Sequence, residues 1–443
     1  MNIQDIIELK IERIVYQGKG LARFGEKKLS IFVENVLPNE VIKAKITSIN
    51  KNYATAELTE IIEPSKHRIK PFCPIYNACG SCQLQICDYD YLIELKTAIL
   101  KDIFPDFEIE PVIKSPKVLG YRHKTQYPAR QTKNSKRIML GYFKKQSHIL
   151  TNIKFCPLQP DIINKIAQFI REYFPCDCYS ETSHKGLLRH VLTRITTKND
   201  ILLTFILNSD KINPLLYDFS KKITLEFPQI KGIYANFNKS KTNKILGDKS
   251  KKILGNDYII EYLNDKCYKI GPESFFQVNP SAAAELFNIV KENIKPNSNI
   301  LDAYAGVGAI GIYVKDKVKS ITYVEENLEA AMFAEENYKL NNLKNYEILK
   351  GDAKKHFINF KKENKIFDYI ILDPPRSGCD KEGLEAISEL AENIIYVSCN
   401  PQTLKRDMEI LNGKGFKIKL LKGVDLFPHT YHIECVMILE KGE

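Results

Sequence analysis

The sequence predicts an α/β chain in three parts: a small β-barrel at residues 1–62, a mixed α+β segment at 63–265, and a doubly wound domain at 266–443. Three observations carry that reading. Short strand-like runs crowd the first part. Strand and helix patterns alternate through the last. The excess of positive charge ends where that alternation begins.

The first part reads as "IELKIERIV", "LSIFVEN", "EVIKAKITSIN" and "YATAELTEII", with Gly18, Gly20 and Gly25 punctuating the first connection. Four or five short strands would leave long edges exposed in a flat sheet, and closure into a barrel removes them. The second part is irregular. "GLLRHVLTRIT" and "ILLTFILN" read as an antiparallel pair, and Gly247-Asp248 and Gly255-Asn256 mark turns between further strands. A helix near 88–104 is expected to pack on the C-terminal domain. In the third part, "NSNILDAYA", "ITYVEEN", "YEILKGDA", "FDYIILDPPR", "IIYVSCN" and "HIECVMILE" are strands separated by helix-like stretches, which gives a mostly parallel sheet.

The chain has 443 residues, 44% hydrophobic and 27% charged, as an ordinary globular protein does. No apolar run approaches the roughly 18 residues that span a bilayer. The stretch "MNIQDIIELKIERI" alternates charged and apolar residues, unlike a signal peptide. A cytoplasmic protein with no membrane partner is expected. Eleven cysteines in a reducing compartment point to metal binding or catalysis more than to disulfides. Residues 266–443 hold 24 of the 65 Lys+Arg and 26 of the 54 Asp+Glu, which leaves 41 basic and 28 acidic residues in 1–265. A basic portion beside a neutral one suggests a polyanion binder joined to a catalytic domain. A lysine-rich genome would raise lysine in both portions.

Four constellations carry chemistry. In the first, Asp302 ends a strand and Gly306-x-Gly308 forms the turn that follows, with Glu325 and Asp352 at the next strand ends. Glycine lets the backbone approach a ligand closely. Gly306-x-Gly308-x-x-Gly311 also fits a dinucleotide fingerprint. So many acids suit a sulfonium cofactor without phosphate better than a pyrophosphate, which favours S-adenosylmethionine over NAD. The second is Asp373-Pro-Pro-Arg376, a rigid turn facing the same cleft. Enzymes that methylate exocyclic amines usually carry an aromatic residue where Arg376 stands, so carbon is the more plausible target.

The third constellation is Cys73-x5-Cys79-x2-Cys82, with Cys156 far downstream and Cys87 as a rival fourth ligand. This spacing fits a four-thiolate Fe–S cubane better than a zinc knuckle. The fourth is "DLFPHTYHIE", which puts Glu434 at the start of an apolar strand. A carboxyl buried there has a raised pKa and is a candidate general base, or else a salt-bridged structural acid. Cys399, at the end of "IIYVSCN", is either a small buried filler or a nucleophile aimed into the cleft beyond the strand ends.

Read in order, these motifs are joined by "Tyr121-Arg-His-Lys", "Cys156-Pro", "Gly186-Leu-Leu-Arg-His", "Ser274-Phe-Phe-Gln-Val-Asn279", "Val397-Ser-Cys-Asn-Pro" and "Phe427-Pro-His-Thr-x-His-x-Glu434". Together they resemble the RNA 5-methyluridine methyltransferases over nearly the whole chain. The 23S ribosomal RNA branch, with an N-terminal TRAM barrel and an Fe–S cluster, is the nearer match.

The resemblance implies a Rossmann-like class I methyltransferase domain, an OB-like TRAM barrel and a central Fe–S domain. It makes Cys399 the nucleophile and Glu434 the base. It gives Gln277, Tyr304, Glu325 and Asp373 to S-adenosylmethionine, beside Asp302, Gly306 and the loosely matching Asp352. It gives Cys73, Cys79, Cys82 and Cys156 to a 4Fe-4S cluster and demotes Cys87. Ala309 stands where relatives often carry a polar residue.

The expected partner is RNA, 23S ribosomal RNA first, bound by a monomer. Arg122, Lys124 and Arg189 are candidate RNA contacts. Arg130, Lys133, Lys136 and Arg137 extend the basic stretch, and Tyr121 and Tyr127 are candidate stacking platforms. A transfer-RNA enzyme and a non-catalytic, cluster-bearing RNA-binding factor are the alternatives.

Overall fold

The computed structural model describes residues 1–132, 137–145 and 147–442. Lys133 and Lys136 lie outside the described residues.

Six strands build the N-terminal sheet: β1 (Ile6–Lys10), β2 (Arg13–Val15), β3 (Lys19–Phe24), β4 (Leu29–Val33), β5 (Val41–Ile49) and β6 (Tyr53–Glu63). Their order is β1-β5-β6-β4-β3-β2, antiparallel except at β4–β6. The sheet curls round a core of Leu9, Ile11, Ile31, Val33, Ile42 and Ile46. The run "IELKIERIV" is two strands on opposite edges rather than one. Ile11 leaves the ladder there, its N–H bonding to the Glu40 carbonyl and its own carbonyl to Asn39 N–H. The glycine-punctuated connection contains β3. Gly20 fits it because a Cβ there would meet Val36 at 2.2 Å.

Helix α1 (Tyr89–Ile103) follows, capped by the Asp88 carboxylate on Tyr91 N–H. The central sheet then comprises β7 (Lys124–Gln131), β8 (Ile138–Phe143), β9 (Leu150–Asn152), β10 (Leu188–Ile195), β11 (Ile201–Leu207), β12 (Ile230–Phe237) and β13 (Lys249–Gly255). Their order is β13-β12-β11-β10-β7-β8-β9, and β10 and β11 form the expected antiparallel pair. Helices α2 (Asp161–Tyr173) and α3 (Leu215–Glu226) close its core through Ile163, Ile166, Ile170, Leu216 and Ile223.

A hairpin of β14 (Ile259–Leu263) and β15 (Lys266–Ile270) packs on α4 (Pro280–Glu292), so residue 265 falls inside its turn. Beyond it lie β16 (Ser298–Ala303), α5 (Ala309–Tyr313), β17 (Val318–Glu325), α6 (Leu328–Leu340), β18 (Tyr346–Lys350) and α7 (Ala353–Lys362). The chain continues through β19 (Tyr369–Leu372), α8 (Lys381–Ile387), β20 (Asn393–Ser398), α9 (Pro401–Asn412), β21 (Phe416–Val424) and β22 (Glu434–Lys441).

The sheet order is β18-β17-β16-β19-β20-β22-β21. The first five strands are parallel, and β22 runs antiparallel to both its neighbours. This is the doubly wound arrangement the alternation predicted. Successive strand residues point to opposite faces. Ile300, Ile371 and Ile395 meet α4–α6, while Leu301, Ile370 and Ile394 meet α7–α9.

Helix α1 packs on this second face. Leu92, Leu95, Ile99 and Leu100 share one core with Leu421, Cys435 and Met437. At about 1.5–3 kcal/mol per fully buried aliphatic side chain, that face cannot be left bare. Among the described residues no helix is long and apolar enough to cross a membrane.

Candidate active site

Strands β16, β17 and β19 end on one side of the sheet, and their turns bound a cleft of about 540 Å³. Tyr304, Gly306, Glu325, Asp352 and Asp373 line it. Two of these residues hold left-handed backbone, Gly306 at φ +57° and Tyr304 at +60°. The second is strained for a side chain this large. The Gly306 N–H donates to Glu325 Oε2 at 2.9 Å, which ties the glycine turn to the next strand end. Asp302 lies beneath the turn, fully buried, and accepts Gly311 N–H at 2.9 Å. Asp352 caps α7 through Lys355 N–H. Gln277 is half-buried in the loop between β15 and α4 and is not among the residues lining the cleft.

Burial pushes both Asp302 and Asp373 up to about 7. Six carboxyl groups (Glu273, Glu325, Glu326, Asp352, Asp373 and Asp380) wall the cleft against one lysine, Lys354, so a bound cation would relieve the excess negative charge. A sulfonium ligand with ribose hydroxyls fits that donor set, and the volume lies in the range of small-molecule pockets.

Cys399 occupies the turn between β20 and α9. Asn400 caps α9 on Gln402 N–H, Pro401 starts the helix, and the Ser398 hydroxyl accepts Asn400 N–H at 3.1 Å. Two donors, Asn400 Nδ2 at 3.2 Å and Thr403 Oγ1 at 3.3 Å, reach the Arg376 carbonyl. The Asp373-Pro-Pro-Arg376 turn and the cysteine turn are thereby fastened together. The thiol is half-buried, and burial, then the nearby Glu434 carboxyl, push it up to about 11, opposed by Arg376. Glu434 starts β22 with 4% exposure. Burial, then Asp373, push it up to about 8, with Arg376 and Lys96 opposing. A carboxyl whose pKa lies near the working pH is suited to general acid–base chemistry, and it accepts a proton once ionised. Burial pushes His429 and His432 down to about 4, so both imidazoles are neutral.

With that geometry in view, the family model for tRNA (uracil-5-)-methyltransferase matches residues 88–442, and the TRAM domain model matches residues 3–59. The chain belongs to the uracil-5 methyltransferase family. It is 36% identical to an uncharacterized RNA methyltransferase of Oceanobacillus iheyensis, over 98% of this chain and 96% of that one. A Clostridium tetani relative of the same description is 33% identical, over 96% and 94%. The crystal structure of Pyrococcus abyssi tRNA (uracil-54, C5)-methyltransferase with S-adenosyl-L-homocysteine superposes with a TM-score of 0.77. That alignment has 26% identity and covers 97% of this chain and all of the other. The chain is thus an S-adenosylmethionine-dependent RNA methyltransferase with an N-terminal TRAM domain.

This methyltransferase has eleven free cysteines. Cys73, Cys79, Cys82 and Cys156 ring one small cavity with Tyr142 and Arg122 in its wall. Cys87 is buried elsewhere, its thiol toward the Leu84 carbonyl. Among the described residues no three His, Cys, Asp or Glu side chains converge on one point as a single metal ion requires. A 4Fe-4S cubane would take one thiolate on each of four irons, and these four cysteines are the thiols that could supply them. Asn164 fixes Cys156 by two hydrogen bonds, and Gln85 Oε1 accepts Cys73 N–H.

The basic residues need correction. Arg189 is 5% exposed, with Nη1 donating to the Asn238 and Ser240 carbonyls at 2.8 and 2.6 Å and Nε buried, so its burial argues against a phosphate contact. Tyr121 and Tyr127 are buried, at 1% and 2%, and cannot stack on bases. They face inward because the motif that carries them threads the core. Arg122 faces the cysteine cavity. Lys124 is half-buried at the start of β7, and burial, then Arg194, push it down to about 7.

Two residues beside the site escaped the sequence reading. Arg376, read there only as a missing aromatic, approaches both Cys399 and Glu434. Its place directly after the diproline turn was the available signal. Lys96 is fully buried on α1, where its Nζ reaches Asp425 Oδ1 at 2.6 Å, the His432 carbonyl at 2.6 Å and the Phe427 carbonyl at 3.2 Å. A lysine at a helical core position was its only trace in the sequence.

Proposed function

We propose that the enzyme methylates C5 of a uridine in 23S ribosomal RNA through a covalent bond between Cys399 and C6. The assembly of Cys399, Glu434, Asp373 and Arg376 around one point supports this most directly. S-adenosylmethionine, held by Tyr304, Gly306, Glu325, Asp352 and Asp373 over the buried Asp302, with Gln277 of the β15–α4 loop as a further contact, would supply an electrophilic methyl group.

The residues do the rest. Uracil C5 is a poor nucleophile; when a thiolate adds at C6, its lone pair forms the S–C6 bond and the C5–C6 π pair moves onto C5 and O4 as an enolate. Arg376 favours the anionic form of Cys399, whose burial disfavours it. After C5 is methylated, Glu434 takes the C5 proton. The electrons of that C–H bond re-form the C5–C6 double bond and expel the Cys399 thiolate. A stacked uridine must be turned out to reach the thiol.

Cys73, Cys79, Cys82 and Cys156 hold a 4Fe-4S cluster in this reading, and the cluster ties distant loops of the central part together. The TRAM domain and the basic N-terminal portion hold the RNA strand. The protein acts as a cytoplasmic monomer.

The Pyrococcus abyssi neighbour, a tRNA (uracil-54, C5)-methyltransferase, favours a second reading, a transfer-RNA uridine as target. Mapping 5-methyluridine in total RNA with and without the gene separates them. Loss from 23S ribosomal RNA is expected, and loss from transfer RNA alone would replace the first reading with the second.

A further inference from the structure

Residues 427–432 lead directly into Glu434, and groups from far upstream hold their carbonyls. Lys96 Nζ takes Phe427 and His432. The Tyr121 hydroxyl donates to the Pro428 carbonyl at 3.1 Å. Gln83 and Leu84 N–H both donate to the His429 carbonyl, at 3.2 and 3.0 Å. His429 is itself left-handed, at φ +68°.

Lys96 is central to this set. An ammonium has three protons, and three acceptors surround it, the third being Asp425 Oδ1. A neutral amine would leave one acceptor without its proton. The second Asp425 oxygen accepts the Tyr89 hydroxyl at 2.9 Å, so the carboxylate is fixed as well. Neither Lys96 nor Asp425 has any solvent exposure.

We propose that Lys96 is a positioning residue for methyl transfer to uridine. Its ammonium spans both ends of the 427–432 loop and thereby sets where the Glu434 carboxylate meets the C5 proton. This rests on the reading of Glu434 as the base. The charged groups facing Glu434 are Asp373 and Arg376 from the turn after β19, Cys399 from the turn after β20, and Lys96 from α1; Cys435 adjoins it on β22. Lys96 is the one cation among them supplied from outside the methyltransferase sheet and its turns.

Removing the ammonium should therefore do two things. It should let the loop shift, and a displacement of ~1 Å can cost about 10²-fold in rate. It should also withdraw positive charge from Glu434, so the carboxylate forms only at higher pH.

The test uses full-length protein and whichever of two RNA transcripts, 23S ribosomal or transfer, the wild type methylates. Lys96→Met is compared with Lys96→Met/Asp425→Asn, which strands no buried charge, and with Glu434→Gln; circular dichroism reports folding. The double variant should lose about 10²-fold in kcat, keep KM within a few-fold, move the acid limb of its pH–rate profile upward, and accumulate methylated covalent adduct. A folded double variant with wild-type kcat and an unmoved acid limb overturns the proposal while leaving Glu434 untouched. A double variant that cannot fold also overturns it, since the ammonium would then serve the fold and not the loop. If Glu434→Gln itself turns over normally, the reading of the base fails first, and the proposal falls with it.

Discussion

Lys96 Nζ lies 2.6 Å from Asp425 Oδ1, and both side chains are sealed from solvent, although 329 residues of chain separate them. Burial pushes the lysine pKa down while Asp425 holds it up. Breaking such a pair from one side leaves an uncompensated buried charge, which costs about 3–5 kcal/mol. Asp425→Ala should lose that much folding free energy in urea titrations, and Lys96→Met/Asp425→Asn should regain most of it. An Asp425→Ala variant as stable as wild type would show the pair to be unimportant to the fold.

The two candidate catalytic residues should fail differently. Cys399→Ala should abolish methylation and form no adduct, because nothing adds at C6. Glu434→Gln should also lose turnover, yet accumulate an RNA–protein adduct that survives denaturing electrophoresis and carries label from the methyl donor. 5-Fluorouridine RNA should trap wild-type enzyme in the same form. Adduct formation by Cys399→Ala would end the nucleophile assignment.

Glu434, Asp302 and Asp373, pushed up to about 8, 7 and 7, bind protons more tightly folded than unfolded. Where the folded state holds more protons, stability falls as pH rises. The penalty is absent below their ordinary values of 4.5 and 3.8 and complete above about 8. Glu434→Gln cannot ionise there, so its melting temperature relative to wild type should improve from pH 5 to pH 8.5. A pH-independent difference would contradict the burial argument. Catalysis has the opposite slope, because the base must be ionised, and kcat should climb through about pH 8.

The four ringed thiols give an iron prediction. Protein prepared without oxygen should be brown and contain about four irons per chain. Replacing Cys156 with Ser should bleach it, whereas Cys87→Ser should not. A colourless protein with one zinc would reverse the assignment.

The C-terminal alternation, Cys399 on its strand-end turn and the Cys73, Cys79 and Cys82 group were legible because each is a local pattern, whereas only the family resemblance preferred the distant Cys156 to Cys87. What stayed hidden depends on long-range packing. Strand β21, "FKIKLLKGV", was passed over. Lys417 and Lys419 alternate along this edge strand and mask its apolar side, a common protection of exposed edges. The inward turn of Tyr121 and the burial of Arg189 go with partners 307 and 49 residues away. Lys96 reads as surface in any local window. Only the far end of the chain makes it core.

That last relation bears on synthesis. The leucines of α1 leave the ribosome long before β21 and β22, and β22 is an inner strand between β20 and β21. At about 5–20 residues per second, the greasy side of α1 waits roughly 20 to 70 s for its cover. Nascent chains of this protein are therefore natural clients for a holding chaperone. A stop codon that removes β22 leaves β20 with a bare edge and β21 without its partner in the sheet.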